Sequence, residues 1–442
     1  MIRLFRGKFI FLIIFKLFDF LINFSQDDYL DANTSNGIMK KHVLAIKNYK
    51  NKNIFNTSFL KEKYYQKTIK KSIKLKGIGI HSNNQIVVSI KPTYSATGRV
   101  FKNSDERIKI NTINENISIV QKNLHKTIKK DYNTPIYTIH ELKSFFKISN
   151  TGFQPNLDNY KNEIYKKNFK IFQDVNRALD FQPNNLDKYV CAQIENILSK
   201  PTYYIILEDR KNKIKAVEHL LSALEALSID NVVIELHGGS EIPILDGSAL
   251  VWINEILKVG ISTSPEVNEH NYIFTKKRRK IRFYSEKFFS IYHNDSFISY
   301  YPSNSSKITV GLDFTETAPL IGKQWFSYDL FNDNHYRWEI SPSRMYIPTI
   351  ENFRESIESG YFKGGIDNCV NLCMFDQWHN NEQIRFYDTE CARHEILDLI
   401  GCLSLLSNNG NGGFPLGHII SYKPSLELNI RFVKLLKEMM II

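Results

Sequence analysis

Two short segments, almost a whole chain apart, carry side chains that could bind a metal ion. The first is an apolar, helix-periodic run that begins with Glu218 and His219, and the second places His394 and Asp398 at positions i and i+4. In an α-helix that spacing puts both side chains on one face, a turn apart. The two histidines and the aspartate are therefore candidate metal ligands, and Glu218 is a carboxylate that could accept a proton. Three protein ligands and an open fourth position are typical of a catalytic zinc, because the fourth position holds the water whose pKa the metal lowers.

Each of these signals also has an ordinary explanation when it is taken alone. A histidine and an aspartate one turn apart occur on many helices as a solvated pair or at a capped end. A structural zinc would need a fourth ligand, usually cysteine. The five cysteines, at positions 191, 369, 373, 391 and 402, form no Cys-x-x-Cys cluster. The sequence therefore indicates neither a disulfide framework nor a cysteine-based zinc site.

The surroundings of these segments resemble a known family, the zinc-dependent UDP-3-O-acyl-N-acetylglucosamine deacetylases of lipid A biosynthesis. The central block of the resemblance runs from Val217 to Ser248. The other matching stretches are residues 77–82, Gly364-Gly365 with Asp367, residues 393–401 and, more faintly, residues 421–423. Residues 319–325 are similar to the form found in plastid-bearing eukaryotes. The resemblance covers about residues 70–102 and 202–436.

The resemblance implies a reaction and a set of site residues. The reaction is hydrolysis of the acetamide of UDP-3-O-acyl-N-acetylglucosamine to acetate and a free amine. The implied zinc ligands are His219, His394 and Asp398, with Glu218 taking a proton from the attacking water. The implied substrate-binding residues are Lys423 and His81. A partly buried structural histidine is an equally good interpretation of His81.

The chain departs from the family pattern at three positions where the family has active-site residues. The family has Lys-Ser-Gly-His near its C-terminus, and this chain has Leu426 in place of that histidine. Cys402 stands where the carboxylate partner of the histidine is expected, and Met345 replaces a threonine expected beside the zinc-bound oxygen. Glu395 also replaces a lysine. Loss of a positioned acid lowers a rate by about 10²–10⁴-fold, and loss of an oxyanion donor by about 10²–10³-fold.

Three hypotheses follow from these departures. The chain is a working deacetylase in which another group, such as Lys423, replaces the missing acid. Alternatively, it is a catalytically impaired homologue, a non-enzyme that binds zinc or the nucleotide-sugar. The third hypothesis is a relic that keeps only the fold. Detection of deacetylated product discriminates the first from the others, and bound zinc discriminates the second from the third.

The predicted fold class is α+β. The resemblance implies two similarly built α/β sandwich domains that pack face to face, with the metal site at their seam. At 442 residues the chain has room for both domains beyond an N-terminal extension. We predict a first deacetylase domain over residues 71–268, with an Asn/Lys-rich insertion at about 103–200, and a second over residues 269–442. β-branched runs predict strands at 85–90 and 231–236, and helical periodicity is found at 217–227 and 249–258.

The formal net charge of +12 does not indicate nucleic-acid binding. The basic residues are spread through Lys/Asn-rich stretches, and the sequence contains no recognisable nucleic-acid-binding module. The predicted partner is the nucleotide-sugar substrate, and no nucleic acid is expected to bind.

The N-terminus predicts a two-part targeting segment. Residues 1–26 are signal-like, because basic residues precede a short apolar run at 9–15. Lys16 interrupts this run well before the ~20 apolar residues that a spanning helix needs, so no stable membrane span is expected in the mature form. Residues 27–70 are predicted to be a basic transit-like segment, because residues 33–76 contain twelve lysines and a single acidic residue, Glu62. Together they predict a plastid-like organelle (apicoplast) reached by the secretory pathway, with secretion or the endoplasmic reticulum as the alternative.

Overall fold

In the computed structural model, strands and helices alternate along most of the chain that the structure describes. The described residues are 65–104, 189–198, 203–210, 212–267, 273–274, 281–330, 335–367, 369–374, 377–379 and 384–440. The predicted targeting segment up to residue 64 and most of the predicted insertion, residues 105–188, lie outside them. Val190–Cys191, which the prediction assigned to the insertion, forms a strand.

The described part of the chain contains nineteen strands and five α-helices. The strands are β1 (Lys67–Ile69), β2 (Ile73–Ile78), β3 (Gln85–Pro92), β4 (Arg99–Ser104), β5 (Val190–Cys191), β6 (Ile206–Asp209), β7 (Asn212–Lys215), β8 (Val232–His237), β9 (Ile261–Thr263), β10 (Glu266–Val267), β11 (Ile273–Phe274), β12 (Phe289–His293), β13 (Ser296–Tyr301), β14 (Ser306–Asp313), β15 (Lys323–Asp329), β16 (Met345–Ile347), β17 (Val370–Met374), β18 (Gln377–Trp378) and β19 (Gly417–Tyr422). The helices are α1 (Glu218–Ala226), α2 (Leu250–Val259), α3 (Ile350–Glu358), α4 (Glu390–Leu403) and α5 (Leu426–Met439).

Two five-stranded sheets share one strand order. The first sheet has the order β2-β3-β8-β4-β5 and the second β12-β13-β19-β14-β15. In each sheet the third and fourth strands are parallel, and the other neighbours are antiparallel. Helices α1 and α4 precede the central strands β8 and β19, and α2 and α5 follow them. The two halves are therefore similarly built, in agreement with the predicted α+β fold class.

Smaller sheets complete the framework. Strand β1 pairs with β9, β6 with β7, and β10 with β11, whereas β16, β17 and β18 form a three-stranded sheet beside α3. The described residues between 65 and 440 belong to one compact unit, which includes both large sheets. The boundary at residue 268 between two domains stays a prediction. None of the helices in the described part of the chain has the length and apolar character that crossing a membrane requires.

Helix α4 lies in the core of the molecule, because apolar residues cover most of its circumference. Its residues 396, 397, 399, 400 and 403 are buried, as are Cys391 and Ala392. A helix that is apolar over most of its circumference needs packing partners over most of it. Buried residues of α1, α4 and both sheets belong to one continuous hydrophobic cluster. The polar groups that α4 carries are therefore held in a well-packed environment.

Candidate metal centre

The close packing of α1 against α4 depends on a glycine. A Cβ atom at Gly401 would overlap the backbone carbonyl oxygen of Glu218, at the start of α1. Because Gly401 has no side chain, the two helix backbones approach each other there. This contact lies in the segment of α4 that follows Asp398, and it brings the start of α1 to the face of α4 that carries the two predicted ligands.

The three predicted ligands converge on one point. One ligand atom from each of His219, His394 and Asp398 can be chosen so that all three lie within 4.8 Å of one another. The Nε2 atoms of the two histidines each lie 3.5 Å from a different carboxylate oxygen of Asp398. The side chain of His394 is 4 % exposed and that of Asp398 is 30 % exposed. The cluster is therefore closed on the side of His394 and open on the side of Asp398.

A backbone carbonyl orients the imidazole of His394. Its Nδ1 lies 3.1 Å from the carbonyl oxygen of Ser343, which can only accept a hydrogen bond. His394 therefore carries a proton on Nδ1, and the lone pair of Nε2 points to the other two predicted ligands. This arrangement is common for metal-binding histidines, because it fixes both the tautomer and the ring orientation. Sequence reasoning missed Ser343, since any residue could supply this carbonyl.

The electrostatics of the cluster fit a divalent cation. Burial raises the pKa of Asp398 to about 7. Burial, followed by the nearby His394, lowers the pKa of His219 well below its ordinary value. Among the described residues, Asp398 Oδ1 has no hydrogen-bond partner although the atom is buried. A cation between the two neutral imidazoles and the carboxylate would compensate for the cost of burying the charge of Asp398. Two nitrogen ligands and one oxygen ligand suit zinc.

Glu218 is a buried carboxylate at the edge of the cluster. Its Oε1 accepts a hydrogen bond from the backbone N–H of Ile205. Burial, and then the negative charge of Asp398, raise the pKa of Glu218 to about 8. A carboxylate beside the candidate metal site is a suitable group for proton transfer.

His81 lies in an aromatic cluster and outside the group of metal-binding atoms. Its ring stacks on Tyr204 at a centroid distance of 4.5 Å, with the ring of Tyr361 edge-on at 5.3 Å. The backbone N–H of Phe362 donates to its Nδ1 over 3.4 Å. Burial, followed by the charge of Lys215, lowers the pKa of His81 to about 4. His81 is therefore neutral at physiological pH, and its role in substrate binding stays a prediction.

Lys423, the other predicted substrate-binding residue, is held in an ion pair. Its Nζ lies 2.6 Å from Asp295 Oδ2. The hydrogen bond to Asp295 raises the pKa of Lys423 above its ordinary value. Lys423 thus offers a fixed positive charge and is a weak proton donor.

Comparison with protein families identifies the chain. Residues 66–150 and 173–438 match the model of the family described as UDP-3-O-acyl N-acetylglycosamine deacetylase. This match spans more than half of the sequence. The chain belongs to this family. The family that the sequence motifs indicated is thereby confirmed.

Curated proteins from plants and cyanobacteria are similar to the chain. A protein from Arabidopsis thaliana named "Probable UDP-3-O-acyl-N-acetylglucosamine deacetylase 1, mitochondrial" is 37% identical over 243 residues, which are 53% of this chain and 71% of that protein. The UDP-3-O-acyl-N-acetylglucosamine deacetylase of a Nostoc species is 36% identical over 226 residues, 50% of this chain and 72% of its own. That of a Synechocystis species is 34% identical over 224 residues, with the same shares.

The three departures from the family pattern have different surroundings in the structure. Leu426 is the first residue of α5 and packs against the hydrophobic core. Cys402 is 1% exposed, and burial raises the pKa of its thiol well above the ordinary value. Met345 begins β16 and lies beside a hydrophobic cluster. Leu426 and Met345 have no ionisable proton, and the thiol of Cys402 is a weaker acid than an ordinary cysteine.

Glu395 has a partner that sequence reasoning missed. The hydroxyl of Tyr346 donates to Glu395 Oε1 over 2.8 Å. Burial, followed by the charge of Asp398, raises the pKa of Glu395 to about 7. Nothing in the sequence connects these residues, because they lie 49 positions apart on β16 and α4.

Proposed function

We propose that this chain hydrolyses the acetamide of UDP-3-O-acyl-N-acetylglucosamine, releasing acetate and a free amine, in a lipid A type of biosynthesis. His219, His394 and Asp398 would hold a zinc ion, and Glu218 would handle the proton. The observation that carries this proposal is the convergence of the three ligand atoms within 4.8 Å, with the buried carboxylate of Glu218 beside them. Membership of the family supports the reaction class and the substrate.

The chain's own groups would orient the metal ligand His394 and transfer a proton through Glu218. When zinc is bound, it supplies a Lewis acid that polarises the acetamide carbonyl and lowers the pKa of the attacking water. The hydrogen bond between the Ser343 carbonyl and His394 Nδ1 keeps Nε2 available as a ligand. The backbone N–H of Ile205 holds Glu218 Oε1. The other carboxylate oxygen, Oε2, would then accept the proton of the attacking water.

Protonation of the leaving amine needs a group other than the histidine that the family uses. Leu426 has no proton to give, and the ion pair with Asp295 makes Lys423 a weak acid. Glu218, once it has accepted the water proton, would be able to return it to the amine. A single group would then act as base and acid in turn. We expect this to be slower than a dedicated pair, by up to the ~10²–10⁴-fold that a positioned acid contributes.

The test is to measure zinc content and product with the full-length chain. We expect one zinc per chain, and mass spectrometry should detect the deacetylated nucleotide-sugar. His219→Ala and Asp398→Ala should lose the stoichiometric zinc, because each removes a ligand. Glu218→Gln should keep the zinc and lose turnover. Full zinc occupancy in both ligand variants would disprove the assigned site.

The same experiment decides a second candidate function. This candidate is a homologue that binds zinc or the nucleotide-sugar without turnover, and it is considered because neither Leu426 nor Cys402 supplies the acid or the carboxylate of the family pattern. That function predicts stoichiometric zinc and saturable binding of UDP-3-O-acyl-N-acetylglucosamine, with no product after prolonged incubation. Turnover that Glu218→Gln abolishes would exclude it.

A further inference from the structure

We infer that Glu390 is a positioning residue for the metal centre, which acts by fixing the backbone carbonyl that orients His394. This inference rests on the proposed zinc site. Glu390 is the first residue of α4 and lies one turn before His394 on the same helix. It does not belong to the group of metal-binding atoms, so its effect on the metal would be indirect.

Glu390 and His394 bind two consecutive residues of one segment. His394 Nδ1 donates to the carbonyl oxygen of Ser343 over 3.1 Å. Glu390 Oε1 accepts from the backbone N–H of Arg344 over 3.0 Å. His394 thus binds the backbone carbonyl of Ser343, and Glu390 binds the backbone N–H of Arg344. A shift of this segment relative to α4 would break both hydrogen bonds.

A third contact holds the same segment. The guanidinium of Arg385 donates from Nη1 to the carbonyl oxygen of Pro342 over 2.7 Å and from Nη2 to Asp246 Oδ2 over 3.0 Å. The backbone N–H groups of Arg385 and Phe386 both donate to Glu390 Oε2. Glu390 therefore joins two backbone segments, the one that carries the orienting carbonyl and the one that precedes α4.

Burial makes these contacts sensitive to substitution. Glu390 is 2 % exposed, and Ser343 and Arg344 are 0 % and 4 % exposed. A buried carboxylate is tolerated only when hydrogen bonds or charges compensate it. Both oxygens of Glu390 are used in this way, so the carboxylate and the segment around Ser343 fix each other. Residues that orient a ligand histidine typically contribute 10–100-fold to metal affinity.

A purely structural role would give a different result from a positioning role. If Glu390 only stabilises the start of α4, its loss lowers the free energy of unfolding and leaves the metal affinity of the folded protein unchanged. If it positions His394, its loss also changes the affinity and the geometry of the metal. Metal binding by the folded chain separates the two.

The experiment uses the full-length chain and the metal ion alone. We expect Glu390→Ala to raise the zinc Kd, measured in competition with a chromophoric chelator, by up to the roughly 10–100-fold that loss of a direct partner of a ligand histidine costs. The visible absorption of bound Co²⁺ should shift, because it reports ligand geometry. Glu390→Gln keeps one acceptor oxygen and should give a smaller change in the same direction. It also provides a folded variant if the alanine variant does not fold.

The matched control is Glu225→Gln. Glu225 is also a buried carboxylate, 4 % exposed, which accepts from Arg99 and from the backbone N–H of Phe414. The Glu225→Gln variant should lose about as much stability as the Glu390 variants. It should keep the wild-type zinc Kd and the wild-type Co²⁺ spectrum. The inference is overturned if folded Glu390 variants keep both wild-type values, or if Glu225→Gln changes them equally. A wild-type chain that binds no zinc would instead overturn the proposed function, and this inference with it.

Discussion

His394 and Asp398 have different surroundings although they share one face of α4. His394 is almost fully buried, and the Ser343 carbonyl fixes its ring. Asp398 is more exposed and has a buried oxygen with no hydrogen-bond partner in the described part of the chain. Substrate and water would therefore approach from the side of Asp398. The group that protonates the leaving amine would also have to lie on that side.

At the residue scale, the missing acid can be tested by restoring it. If Leu426 occupies the position of the family's histidine, Leu426→His with Cys402→Asp should rebuild a histidine paired with a carboxylate. We expect deacetylation to rise by about 10²-fold or more if proton transfer limits the native rate. Leu426→His alone should help less, because the imidazole lacks the partner that fixes its tautomer. The rate is measured by mass spectrometry of the product.

This double substitution has a cost that the control must exclude. Cys402 is buried near the carboxylates of Glu218 and Asp398, so a new carboxylate there destabilises the fold. Cys402→Asp alone serves as the control for stability and zinc content. No gain in a double variant that is folded and zinc-loaded would mean that the pocket no longer holds the acetamide against the metal.

At the scale of elements, the distance between α1 and α4 controls the site. Gly401→Ala would push the two helices apart, because the new methyl group overlaps the Glu218 carbonyl oxygen. We expect the variant to lose stability and to bind zinc more weakly, since His219 moves away from the ligands on α4. Thermal unfolding and the zinc Kd measure the two effects.

Gly311→Ala is the control for this change. Gly311 lies on β14, where an added Cβ would overlap the ring of Trp325 to a similar extent. It should lower stability and leave the zinc Kd at the wild-type value. Equal losses of zinc affinity in both variants would show that Gly401 acts through general destabilisation alone.

The second large sheet contains a histidine whose ionisation should affect stability. His418 Nε2 lies 2.9 Å from Thr309 Oγ1, and burial followed by the charge of Lys307 lowers its pKa from 6.5 to about 4. Between these pH values the unfolded chain binds more protons than the folded chain. Lowering the pH from 6.5 towards 4 therefore lowers the free energy of unfolding.

His418→Gln should remove this contribution. From pH 7 to pH 5 the wild-type chain should lose about 2 kcal/mol more than the variant, as measured by denaturant unfolding at both pH values. Glutamine can still hydrogen-bond to Thr309, so the variant should stay folded. An identical pH dependence in the two proteins would contradict the prediction.

At the scale of the whole molecule, the candidate metal centre combines residues from the two similarly built halves. His219 lies in the first turn of the helix that precedes the central strand of the first sheet, and the other two predicted ligands lie on the equivalent helix of the second half. Neither half contains all three ligands. Unfolding of either half should therefore release the metal.

The N-terminal segment that the sequence predicts to be a targeting segment gives a prediction at the same scale, on residues outside those that the structure describes. We propose that residues 1–76, fused to a fluorescent reporter, reach a plastid-type organelle by the secretory route. Residues 1–30 alone should give secretion, because they contain the signal-like run without the basic segment. Microscopy distinguishes these outcomes, and a cytosolic reporter from the longer fusion would contradict the proposal.

The amino-acid sequence was sufficient to predict the family, the fold class and the three candidate ligands. It could do so because helical periodicity fixes which side chains share a face, as for His394 and Asp398, and because the block from Val217 to Ser248 is long. Strands β3 and β8 and helices α1 and α2 lie where β-branched runs and helical periodicity predicted them. The positions of these strands and helices depend mainly on residues that are close together in the sequence.

The contacts between distant groups became known only from the folded chain. The orienting carbonyl of Ser343, the hydrogen bond from Tyr346 to Glu395 and the role of Gly401 depend on contacts between segments far apart in the chain. Every residue type has a backbone carbonyl, so a sequence motif cannot show which carbonyl orients His394. A glycine within a helix likewise does not show which residue packs against it. The pKa values of Glu218 and Asp398 also depend on burial, which arises only when the two halves pack together.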